Sequence, residues 1–304
     1  GFNNAVYDQT NRGVTEHRVY EANGQLAGRT LYSATINPTS NVYKVTTVSP
    51  HQNSDPAQTP MISGFRSERL LYVADPADVK FGYDDPLAGM PFDERVFDEN
   101  GDPRSRKLTD YTMKSMMVGT TYHPNTGNAR RDLLPFRTAS FTFEPGSQHA
   151  LATFSKTEFD DNGSADAEYF SHLNVKRQKG YHYAAVNAGE VDTEVLSWSA
   201  IESWFPLSKL ESVSEMDYQY DASYKSRGIL GLPTETRLYD AQNGNALIAL
   251  SQASYDEVGQ YYSMVDYGTT TGYVAPTGSY AHLRGKPTTK RTWDFDTNSW
   301  ITTH

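Results

Sequence analysis

The sequence contains no cysteine. Disulfides, thiolate zinc sites, iron–sulfur clusters and cysteine nucleophiles are therefore excluded together. No apolar run approaches the roughly 18 residues that a membrane-spanning helix requires, so membrane insertion is not expected. Basic residues are too few to balance the acidic ones, with 27 Lys and Arg against 37 Asp and Glu. A net charge of −10 argues against nucleic acid or an anionic membrane surface as the main partner. There is no H-E-x-x-H, no G-x-S-x-G, no Walker A loop and no G-x-G-x-x-G. The eight histidines are scattered, and His172 and His182, the closest informative pair, stand ten residues apart. No cofactor and no enzymatic activity are expected from these patterns.

What the sequence has in quantity is aromatic side chains: 21 Tyr, 13 Phe and 4 Trp. With abundant Thr they favour strands over helices. They also argue against disorder.

Three segments align without gaps on the pattern G-x-P-x-x-x-R-x-aromatic-D. They run from Gly89 to Asp98, from Gly231 to Asp240 and from Gly285 to Asp294. A fourth, Gly13 to Glu21, is one residue shorter and ends on Glu in place of Asp. Gly and Pro break the preceding element and launch an extended segment. Period two then puts Arg and the aromatic on one face. The repeat residues are thus Arg18 and Tyr20; Arg95, Phe97 and Asp98; Arg237, Tyr239 and Asp240; Arg291, Trp293 and Asp294. The pattern predicts that Arg95, Arg237 and Arg291 lie against aromatic rings, with Phe97, Tyr239 and Trp293 largely buried.

After the acidic residue, Glu21 to Gly24, Asp98 to Gly101 and Asp240 to Gly244 all close on Asn-Gly, a hairpin signal. Second strands are predicted over Gln25–Ser33, Pro103–Thr112 and Asn245–Asp256. Asn41–Ser49 and Thr153–Phe159 also read as strands, and Lys290–Thr303 as one unpaired strand at a sheet edge. Tyr218-Gln219-Tyr220-Asp221 and Ser254-Tyr255-Asp256 repeat the aromatic–acidic corner. Asp192–Lys209 is the best helical candidate, with Val195, Trp198, Ile201 and Phe205 at helical spacing; a loop or strand covering a sheet edge fits it as well. The expected fold class is all-β, built of stacked antiparallel hairpins with little helix. No linker marks a second domain, so residues 1–304 read as one continuous segment.

These repeated hairpins, with their R-x-aromatic-D corners and Gly-Asn turns, resemble the RHS or YD-repeat proteins. The likeness is fullest over residues 215–304 and extends to 1–33 and 89–112. It implies a strip of hairpins that spirals into a hollow β-shell, in bacterial proteins that are secreted or exposed on the cell surface. It implies a non-enzymatic structural role in enclosing or presenting a C-terminal, toxin-like segment. Further repeats of the same polypeptide, or other copies, are the partners it implies. Gly1 and the strand-like run that ends at His304 both read as cuts, so a piece of a longer chain is expected.

Two alternatives remain open. Exposed aromatics could make the segment an adhesion module that binds glycans, and a loop such as Pro50–Pro60 could carry an enzymatic site. One metal candidate stands out in the run Asp160 to Glu168, where Asp160, Asn162, Asp166 and Glu168 supply oxygen ligands at the spacing of a calcium loop. Gly163 and Ser171 stand where such a loop has other residues, and a solvated turn accounts for the same composition.

Overall fold

The computed structural model describes residues 16–37, 42–50, 64–72, 89–115, 131–159, 174–225, 229, 231–257 and 284–303. Among them, fifteen strands form one open antiparallel sheet in chain order. The order runs β1 (Glu16–Tyr20), β2 (Leu26–Asn37), β3 (Val42–Pro50), β4 (Gly64–Tyr72), β5 (Pro91–Phe97), β6 (Pro103–Ser115), β7 (Arg131–Phe143), β8 (His149–Phe159) and β9 (Val175–Tyr181). It continues through β11 (Leu210–Tyr218), β12 (Pro233–Asp240), β13 (Ala246–Tyr255), β14 (Pro287–Asp294) and β15 (Ser299–Thr303), while β10 (Ala184–Asn187) pairs with β8 off this path. The described connections β1–β2, β5–β6, β7–β8, β12–β13 and β14–β15 are short turns, as hairpin signals dictate. Among the described residues, α-helix is confined to α1 (Ala188–Val191), α2 (Trp198–Trp204) and α3 (Ala222–Lys225), and Leu207–Lys209 forms a 3-10 turn. The all-β expectation holds.

The Asn-Gly signals mark hairpin turns. Gly24, Gly101 and Gly244 take φ of 83°, 87° and 63°, the left-handed region where a Cβ is penalised. One expectation is corrected. Lys290–Thr303 is not a lone strand: it folds back on itself as β14 and β15, with Trp293 opposite Trp300. The turn is made by Asp294, whose carboxylate accepts the amides of Asp296 and Thr297, and by Asn298 at φ 50°.

Contacts divide the chain into two compact units, residues 1–155 with 182–206, and residues 156–181 with 207–304. In the first unit the core lies on one sheet face. Ala139, Phe141 and Phe143 of β7, Ala150, Ala152 and Phe154 of β8, and Ala184 and Val186 of β10 alternate inward and are buried. The alanines leave room for residues 188–206 to settle on this face. Val191, Ile201 and Phe205 from that cover are buried against it. Trp204 meets Phe141 edge-on at 6.0 Å, and Phe154 packs against Trp198 and Phe205. Of the predicted helix, Trp198–Trp204 is α-helical and Leu207–Lys209 forms a 3-10 turn. Ser197 caps α2 by accepting the Ala200 amide, and Pro206 stops it after one further residue.

In the second unit, of the hydrophobic residues described, Tyr224 is the one that is fully buried. Cross-strand ion pairs dominate instead. Arg177 of β9 faces Glu215 of β11, which faces Arg237 of β12. Arg177 bonds Glu215 at 2.6 Å and Glu158 at 3.1 Å, and Lys179 bonds Glu158 at 2.6 Å.

Candidate functional site

The repeat corners are the first place to look, because sequence singled them out. Period two brings a carboxylate beside each of three repeat arginines. Arg18 pairs with Glu16 at 2.7 Å, Arg95 with Asp93 at 2.8 Å and Arg237 with Glu235 at 2.5 Å. The partner of the arginine is thus the acid two residues before it, where the sequence reading looked for rings. In the repeat from Gly285 to Asp294, Thr289 replaces that acid, and Arg291 is exposed. The ring of Phe97 is buried and carries a different guanidinium, that of Arg66, 4.2 Å from its centroid. Tyr239 and Trp293 are half-buried and Tyr20 is exposed. Trp293 meets Trp300 edge-on at 5.2 Å.

Each terminal aspartate of the three full repeats holds its own turn. Asp98 Oδ1 accepts the amides of Asn100 and Asp102, both at 2.9 Å, and Arg104 pairs with Oδ2 at 2.7 Å. Asp240 Oδ1 accepts the amides of Gln242 at 2.9 Å and Asn243 at 3.2 Å. Burial works to raise the Asp98 pKa, but its amide donors and Arg104 outweigh it and hold the carboxyl below its ordinary value. The Thr297 hydroxyl, then the Asp296 amide, lowers Asp294 in the same way.

The aromatics share a backbone feature. A register shift falls immediately before Tyr20, Phe97, Tyr111, Tyr218, Tyr239 and Tyr255 in their ladders. Such bulges re-aim a side chain and sharpen the strand twist. The Tyr255-Asp256 corner adds a clasp. Asp256, at φ 52°, accepts the amides of Arg284 at 2.9 Å, Gly285 at 2.7 Å and Lys286 at 3.2 Å. The Tyr224 hydroxyl donates to Asp256 Oδ2 at 3.1 Å, and burial followed by the nearby Asp256 charge pushes the tyrosine pKa up to about 12.

The most buried charged cluster escaped the sequence reading. Asp93 accepts from Arg95 and from Arg106, whose side chains are nearly sealed from water. Arg106 Nη1 donates to the carbonyls of Val191 and Thr193, and Arg95 Nη2 donates to that of Glu194 at 2.8 Å. One aspartate thus aims two guanidiniums at the segment that follows α1 (Ala188–Val191). Burial lowers the Arg106 pKa, with Asp93 opposing it. Arg137 of β7 adds a second tie, to Glu202 of α2 at 2.9 Å, with its guanidinium 4.8 Å from the Trp198 ring centroid. Val191 is 85 positions from Arg106 in the chain, so no local pattern announces the contact.

The calcium candidates Asp160, Asn162, Asp166 and Glu168 lie outside the described residues, as does the loop 51–60. Among the described residues no three His, Asp or Glu side chains group as a metal site requires. Of the histidines that are described, His17, His149 and His182 are exposed. What the arrangement does chemically is hold turns, strands and one covering segment in place. No protein-family model matches this chain, and no curated protein does.

Proposed function

We propose that the chain is a non-enzymatic structural segment: part of a hairpin-repeat wall in a large secreted or surface-exposed bacterial protein, of the kind the RHS/YD-repeat resemblance implies. The wall encloses or presents another, toxin-like segment of the same polypeptide. The observation that supports this is where the repeat's polar groups are spent. Its acids and arginines pair with one another along each strand, and its aspartates saturate turn amides. Residues used this way recur because each hairpin needs them for packing and turn formation. Sheet order that follows chain order supports the same reading, since such a strip lengthens by adding hairpins at its edge.

The test uses the longer parent polypeptide. A specific protease site is placed in the segment beyond the repeats, and its cleavage rate is compared with that of the same site in the segment expressed alone. Enclosure slows cleavage at least about a hundredfold, because it then waits on opening of the wall. Equal rates refute the wall reading. The glycan-binding alternative draws on exposed aromatics, but those described, Tyr20, Phe65, Tyr183 and Phe295, stand on separate strands and turns.

A further inference from the structure

The covered face of the first unit runs on past its cover. Ladder partners Phe141, Arg106, Arg95, Glu68 and Thr46 place β7, β6, β5, β4 and β3 on one continuous face. Residues 188–206 sit over the β7 side of it. Where that cover ends, a cavity of about 590 Å³ opens. Its sheet wall carries Leu70, Tyr72, Phe92 and Leu108, with the Tyr72 and Phe92 rings 4.6 Å apart. Its opposite wall carries Val195, Leu196 and Trp198. That size and that apolar, aromatic lining suit a small organic molecule.

The wall is preformed. Arg95 and Arg106 pin the carbonyls of Val191, Thr193 and Glu194, and Val195 follows at once. Val195 is nonetheless 82% exposed.

Charge sets the polarity of that body. Lys44 lines the cavity beside Thr35, and its ammonium shares Glu68 at 2.8 Å with Arg66 at 3.4 Å. Two cations on one carboxylate leave a positive charge in excess at this end. Of the carboxylates that line the cavity, Asp93 is already shared between Arg95 and Arg106. Glu194, on the rim, is exposed and solvent-screened. Lys44 keeps donors beyond the one facing Glu68.

We propose that this cavity is a binding site for a small amphiphilic carboxylate, with an alkyl or aryl body against Tyr72, Phe92 and Trp198 and its carboxylate at Lys44. The experiment is calorimetric titration of the whole chain with decanoate below its micellar concentration, with decanol and decylammonium as matched probes. Decanoate binds saturably with one site and at least about tenfold tighter than decylammonium, the value of one charge-assisted contact. Lys44→Met weakens decanoate about tenfold and leaves decanol unchanged. Val195→Asp, at a position exposed enough to spare the fold, weakens decanoate and not decylammonium. Circular dichroism melts confirm that both variants are folded. Absence of saturable binding, equal affinity for decylammonium, or unchanged decanoate affinity in both variants overturns the proposal.

Discussion

Replacing Asp93 tests the clamp directly. Its side chain is 3% exposed and that of Arg106 2%. Asp93→Ala leaves two guanidiniums sharing a buried site without their counter-charge, which costs about 3–5 kcal/mol. Arg106→Met takes the donor from two carbonyls, those of Val191 and Thr193, at about 1–3 kcal/mol for each that stays dry. Asp93 then still has Arg95. The double replacement Asp93→Ala with Arg106→Met removes the Asp93–Arg106 pair together and leaves one guanidinium, that of Arg95, without its counter-charge instead of two, so it costs at least about 2 kcal/mol less than the two singles added. Arg95→Met, at 11% exposure and with Arg106 left on Asp93, costs about 1–2 kcal/mol. Urea unfolding read by tryptophan fluorescence measures each. Trp293→Phe and Trp300→Phe confine the signal to Trp198 and Trp204, which lie in the cover. Single losses below about 1 kcal/mol, or strict additivity in the double variant, would show that the covering segment is held by its apolar side chains alone.

The aromatic positions of the repeat are unequal. Phe97→Ala costs about 3–5 kcal/mol, while Tyr239→Ala, half-buried, costs less than half as much by the same urea assay. Gly285→Ala is expected to be the most damaging glycine change among the repeats. It combines φ of 70° with a Cβ at 3.1 Å from Leu232, whereas Gly101→Ala meets open space and pays for φ alone, about 1 kcal/mol; thermal melts rank the two. Acid destabilises the fold. Asp98 and Asp294 titrate below their ordinary values when folded, so their stabilisation is present above the unfolded pKa near 4 and is lost as pH falls through the folded values. Urea midpoints should drop between about pH 5 and pH 2, and less so in Asp98→Asn. At the alkaline end Tyr224 works with the opposite sign: the folded state keeps its proton up to about pH 12, so stability is lost as pH rises from about 10, and Tyr224→Phe removes that loss.

The hairpins were legible because their determinants are local. Asp98, Asn100 and Gly101 lie within four residues, and the turn they form needs nothing else from the chain. The same holds for β14 and β15, where Asp294 to Ser299 carries a turn that the strand-like alternation on either side concealed. The ion partners of the repeat arginines were equally local. Glu16-x-Arg18, Asp93-x-Arg95 and Glu235-x-Arg237 satisfy period two as well as Arg-x-aromatic does, and two residues on one strand face meet whichever way the motif is read. What the pattern conceals is the bulge before the aromatic, at Tyr20, Phe97 and Tyr239. A bulge depends on the partner strand and leaves little mark in one strand's sequence. The clamp and the cavity lay beyond reach for a plainer reason. Lys44, Arg106 and Trp198 come together only once β10 has paired with β8, away from β9 and β11, and residues 188–206 have settled on that part of the sheet.

The two units therefore solve one problem in two ways. A hairpin sheet has two faces and needs at least one of them dry to repay the entropy of ordering its strands. The first unit dries a face by laying a segment with Val191, Ile201 and Phe205 over alanines small enough to admit it, and fixes that segment with buried arginines. The second unit keeps its described faces half-exposed and ties neighbouring strands through Glu158, Arg177, Glu215, Arg237 and Glu235. Such part-exposed pairs are worth a few tenths to one kcal/mol each and are screened by salt, so a chain of them sets strand register more than it supplies stability. Register is what a growing strip of hairpins must transmit from one strand to the next, because a slip by one residue exchanges its two faces. A sheet that binds its strands this way, with turns closed by its own aspartates, is suited to extension. A sheet sealed by a fitted cover is suited to holding something beside that cover.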